Sequence, residues 1–88
     1  MKLFLAQADE LDGERERLIE FLVRASTRAR AAELAWTELK GEWGEGADEK
    51  EMELDNELWF HGGEVCISGL RVNPVTERQA VQHFTRRQ

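Results

Sequence analysis

The run Leu18-Ile19-Glu20-Phe21-Leu22-Val23-Arg24-Ala25-Ser26-Thr27-Arg28-Ala29-Arg30-Ala31-Ala32-Glu33-Leu34-Ala35-Trp36 changes period halfway along, and that change decides the fold. From Leu18 to Ala25, the residues Ile19, Phe21, Val23 and Ala25 share one side while Glu20 and Arg24 share the other. That is the period-two pattern of a half-buried strand. Leu22 falls among the charges, so the outer side also carries an apolar group in want of cover. Ser26 and Thr27 then offer hydroxyls to the free N–H groups of a first helical turn. Arg28 to Lys40 is built from good helix formers. Its Ala31, Leu34, Ala35 and Leu39 make an apolar stripe, flanked by Arg28, Ala32 and Trp36. Gly41 suits the residue just past a helix end.

Upstream, residues 2–8 read as a strand that stops in the turn-prone Asp9-Glu10-Leu11-Asp12-Gly13. It pairs with residues 18–25 as an antiparallel hairpin with a long turn. Downstream, Leu58-Trp59-Phe60-His61 and Glu64-Val65-Cys66-Ile67 flank Gly62-Gly63, a two-residue hairpin signal. The second run continues past Gly69, a bulge position, to Val72, and Asn73-Pro74 ends it. Thr76-Glu77-Arg78-Gln79 fits a capping box, with Val75 and Ala80 placed as its hydrophobic staple. Ala80, Val81 and Phe84 give the helix that follows a short apolar face. Residues 51–55 alternate as an edge strand does, although their composition also permits a helical turn. The expected class is α+β, in the order β-β-α-(β)-β-β-α. A small antiparallel sheet carries the main helix on one face, with a short C-terminal helix after it.

At 88 residues and 10.2 kDa, residues 1–88 are expected to form a single compact α+β domain. With 41% hydrophobic and 34% charged residues, most of the chain should fold. One cysteine forms no internal disulfide and suits a reducing compartment. The N-terminus lacks the long apolar core of a secretory signal, and no apolar run is long enough to span a bilayer. The expected address is the cytoplasm, a bacterial host's if the chain is phage-encoded.

Chemistry is poorly signposted. Cys66 sits in a strand between Val65 and Ile67, where a buried structural thiol is expected, facing away from those neighbours. His61, Cys66 and His83 match no recurrent zinc spacing, so no metal is expected. His61 reads as a hairpin-tip residue and His83 as a solvent-side helix position. Gly41, Gly44 and Gly46 are interleaved with Glu42 and Glu45, which would repel a phosphate. Carboxylates abound, but so small a chain offers little cleft in which one could be desolvated. The expectation is a protein that is not an enzyme, with no catalytic residue and no cofactor. A small enzyme using Cys66 or His61 is the remote alternative.

Charge is the informative property. The net −6 of the chain is unevenly spread. Residues 1–41 hold 8 acids and 7 bases, and residues 58–88 hold 2 acids and 4 bases. Residues 42–57 hold 8 acids against Lys50 alone, a net −7 that exceeds the total. This acidic loop and edge segment admits two readings. It is a solvated edge that resists aggregation, or it docks on a basic surface. Trp43 likewise folds back as a lid on the core or stands exposed among acids as an interface anchor. On the docking reading the contact residues are Glu42, Trp43, Glu45, Asp48, Glu49, Glu51, Glu53, Asp55 and Glu57. The partner would be a larger protein or nucleoprotein whose basic surface normally handles nucleic acid. Neither direct nucleic-acid binding nor a membrane is expected. Burial of Leu22, Trp59 or Phe60 against a second copy, giving a homodimer, is the alternative role.

The strand-to-helix run Phe21 to Trp36, with its Ala-Ser-Thr junction and Ala-rich helix, resembles small phage and mobile-element proteins. Together with the size and acidity it is similar to inhibitors of the anti-CRISPR type. The resemblance covers roughly the first half of the chain. It implies binding to a bacterial nucleoprotein effector and a block on its DNA binding or nuclease recruitment, and it carries over no individual residue.

Overall fold

The computed structural model describes residues 1–43, 57–60 and 64–86. Strands β1 (Lys2–Asp12) and β2 (Arg15–Ala25) lead into helix α1 (Arg28–Trp43). Strands β3 (Glu57–Phe60) and β4 (Val65–Pro74) precede helix α2 (Glu77–Arg86). The strands form one antiparallel sheet in the order β2-β1-β4-β3, so the protein is α+β. The bracketed strand expected at residues 51–55 lies outside the described residues, as does the Gly62-Gly63 hairpin tip.

The first hairpin is longer and tighter than its hydrophobicity suggests. In place of a strand over residues 2–8 and a long turn, pairing continues to Asp12↔Arg15 around Gly13-Glu14. Gly13 takes φ +63, at the first central position, where a two-residue hairpin favours glycine. Here the ladder is continued by opposite charges instead of apolar alternation. Arg17 lies opposite Glu10 and donates from Nε (3.0 Å) and from a terminal nitrogen (2.5 Å) to its Oε2. The Gly13 N–H also reaches the Glu64 carbonyl at 3.1 Å, tying the hairpin tip to the start of β4.

The inner face follows the expected alternation. Phe4, Ala6 and Ala8 lie opposite Val23, Phe21 and Ile19. β4 would lose this phase without a bulge. Gln7 pairs with Arg71 and Asp9 with Ser68, so Ala8 faces both Gly69 and Leu70. The extra residue puts Val65 and Ile67 on the same face as Val72. Gly69 accepts the required φ of +65.

α1 lies on this face. Ala6, Ala8, Ala31 and Ala35 are fully buried with Leu39, Leu58 and Ile67, so small side chains let helix and sheet approach closely. Thr27 caps α1, accepting from the Arg30 N–H at 3.1 Å. The helix runs through Gly41 to Trp43, and Gly41 is therefore not its C-terminal stop. Its φ is not positive, and one glycine near a helix end costs only about 1 kcal/mol.

α2 packs against part of the opposite face, where its Glu77 and His83 meet Arg24 and Glu20 of β2. Its capping box forms as expected. The Gln79 N–H donates to Thr76 Oγ1 (3.1 Å) and the Thr76 N–H to Gln79 Oε1 (2.9 Å). Ala80 is its one buried residue, and grooves run between the helix and Leu3, Leu5 and Leu22.

Candidate interaction surface

Glu42 and Trp43 are the last residues of α1, and Glu57 is the first of β3, which ends the strand order opposite β2 among the described residues. The side chains of Glu42 and Trp43 are outside the described part of the structure. Glu45, Asp48, Glu49, Glu51, Glu53 and Asp55 lie outside it entirely.

Glu57 is thus the one expected contact residue whose side chain is described, and it is already engaged. Leu58 points into the α1-side core, so Glu57 and Trp59 project from the other face. There Trp59 Nε1 donates to Glu57 Oε2 at 2.9 Å. Trp59 lies opposite Cys66 in the ladder, and Glu57 opposite Ser68. Cys66 does face away from Val65 and Ile67, yet it is 8% exposed. Burial pushes its thiol above the ordinary range, and the Glu57 charge pushes it further the same way. A buried thiol held protonated is a poor nucleophile.

The α2-covered face also holds a polar cluster that sequence reading missed. Glu20, on the outer side of β2, accepts from Gln7 Nε2 at 3.3 Å and contacts His83 Nε2 of α2. Its side chain is 3% exposed. His83 is therefore a contact between helix and sheet as well as a position partly open to solvent, with 37% of its side chain exposed. Its i, i+4 relation to Gln79 gives no hint of this. Only the Gln7↔Glu20 register, combined with the placement of α2, brings the three together. Arg24 pairs with Glu77 of α2 at 3.1 Å, and Arg71 with Asp9 at 3.2 Å over the bulge.

Leu11, Leu18 and Leu22 open to solvent on this same face, at 42%, 38% and 40% exposure. Among the described residues no group of three or more His, Cys, Asp or Glu is placed to hold a metal ion. Among them, too, no helix is long and apolar enough to cross a membrane. No family model matches this chain, and comparison with curated proteins and with solved structures finds no match either.

Proposed function

We propose that the protein is a non-enzymatic binding protein that docks its acidic connection on a basic surface of a larger partner. The observation that supports this most directly is the separation of charge from scaffold. Sixteen residues, 42–57, carry −7, and the remaining chain carries a net +1. They join the end of α1 to β3, and Leu39 near that helix end shares one core cluster with Leu58 of β3, so both ends of the charged stretch are anchored on the folded body. Such a segment steers association with a positive surface and excludes negative ones. An inhibitor of the anti-CRISPR type, competing for a nucleic-acid-handling surface, is the specific form of this reading.

The test uses a charge-reversed variant, Glu49→Lys/Glu51→Lys/Glu53→Lys, beside the natural chain. Each is immobilised and exposed to a bacterial lysate at low salt, then washed with duplex DNA or with a salt step. Proteins held by the natural chain, displaced by DNA and by salt, and not held by the variant are the expected result. Equal retention on both, with equal thermal stability, would overturn the proposal. For the inhibitor form, a CRISPR effector complex should lose DNA binding as the natural chain is added and keep it with the variant.

A further inference from the structure

We propose that the free edge of β2 is a docking surface for a second copy of this chain, antiparallel and two-fold symmetric, joining two sheets into one. β2 ends the sheet order and, among the described residues, has only β1 beside it. It is 11 residues long, contains no proline, and pairs with β1 without a register shift. Edge strands of this kind are ordinarily blunted, because a straight unpaired edge is a template for another strand. Both faces of β2 are also incompletely covered. Leu18 and Leu22 are exposed on one side, and Ile19, Phe21 and Val23 are only half-buried on the side that faces α1. A strand laid alongside would cover both rows.

The strand's own sequence selects the occupant. With Glu20 on a two-fold axis, Glu16 lies opposite the other copy's Arg24 and Leu18 opposite its Leu22, each twice by symmetry. On the α1 side Ile19 lies opposite Phe21. Arg17 falls opposite Val23, but its guanidinium is already held by Glu10 of its own chain. Elsewhere between Glu16 and Arg24, charge meets opposite charge and apolar meets apolar away from the axis. Moving the axis by one residue, to Ile19 or to Phe21, sets Glu20 against a leucine. Moving it to Leu22 leaves Arg15 to Leu18 opposite residues outside the strand. The two Glu20 carboxylates do meet at the axis, a destabilising arrangement if bare. Each is already turned onto Gln7 and His83 of its own chain, with 3% of its side chain exposed. This surface is independent of the acidic connection, which enters the sheet at β3, the far edge.

Sedimentation velocity from micromolar to near-millimolar protein tests the pairing. The natural chain is expected to be a dimer that dissociates on dilution. Glu16→Arg and Arg24→Glu should each weaken it about tenfold, since two cross-strand pairs turn from attractive to repulsive. An equal mixture of those two variants should associate again, because the arginine introduced in one then faces the glutamate introduced in the other. Arg24 also pairs with Glu77 in its own chain, so Glu77→Gln serves as the control and should leave the dimer intact. A natural chain that stays monomeric at every concentration would overturn the proposal. So would a dimer indifferent to both single changes, or a mixture no tighter than its components.

Discussion

Glu20 of β2 and His83 of α2 meet across the interface between sheet and C-terminal helix, 63 residues apart in the chain. The helix has few other anchors. Ala80 is the one residue it buries, and Val81 is left 67% exposed. Its attachment therefore depends on polar contacts that side-chain replacement can remove singly.

His83→Ala is expected to destabilise the fold by about 1–2 kcal/mol, because a nearly buried carboxylate loses a partner. The change should be concentrated in α2. Hydrogen exchange there should accelerate, while exchange in β1 and β4 stays slow. Chemical denaturation with exchange mass spectrometry reads both. Uniform acceleration across the sheet would show that this contact does not hold the helix.

Arg24→Ala separates the second anchor. The Arg24–Glu77 pair is exposed on both sides, and exposed pairs are worth about 0.2–1 kcal/mol. Its loss should therefore be smaller than that of His83→Ala, and salt should largely abolish it. An effect as large as the His83 change, persisting at high salt, would count against this ranking.

The contrast between these two pairs shows what could be read from the chain alone. The α1 side was legible because apolar period marks it: Ile19, Phe21 and Val23 on one strand, and Ala31, Ala35 and Leu39 on one helix. Local polar signals were legible too, as the Thr76–Gln79 capping box shows, since both partners fall within one turn. The hairpin between Asp9 and Arg17 was not, because charge pairs continue the ladder there and register, not period, reveals them. His83 was lost for a related reason. Nothing local distinguishes a helical histidine over water from one over a carboxylate contributed by a strand far away in sequence. The expected acidic contact residues other than Glu57 have no described side chain, and their reading still rests on charge.

Cys66 should react slowly with iodoacetamide, and its rate should rise only at higher pH than that of an unfolded-peptide thiol. Burial raises its pKa most and Glu57 adds to it. Glu57→Gln removes the second cause, so the rate profile should move toward lower pH while remaining above the peptide's. Stability follows the same sign. It is complete below the ordinary thiol range and declines as pH rises through the raised value, because the unfolded thiol ionises first. A profile unmoved by Glu57→Gln would show that its charge does not act on the thiol.

Two glycines should respond to alanine in opposite directions. Gly41 lies inside α1, and among the described residues nothing comes within 4 Å of where a Cβ would stand. Gly41→Ala should stabilise by about 0.4–1 kcal/mol, by restricting the unfolded chain and favouring the helix. At Gly69 the φ is +65, and a Cβ would stand 3.1 Å from Asp9 Oδ2. Asp9 is held there by Arg71, which also donates to the Gly69 carbonyl at 2.9 Å, so the carboxylate cannot yield without disturbing that pair. Gly69→Ala should therefore cost about 1–3 kcal/mol. For a domain of this size, each kcal/mol moves the melting temperature by roughly 4–8 °C. The two variants should bracket the natural chain in a thermal melt. A neutral Gly69→Ala would mean that the bulge is dispensable. β4 could then keep Val65, Ile67 and Val72 on one face only by some other break in its alternation.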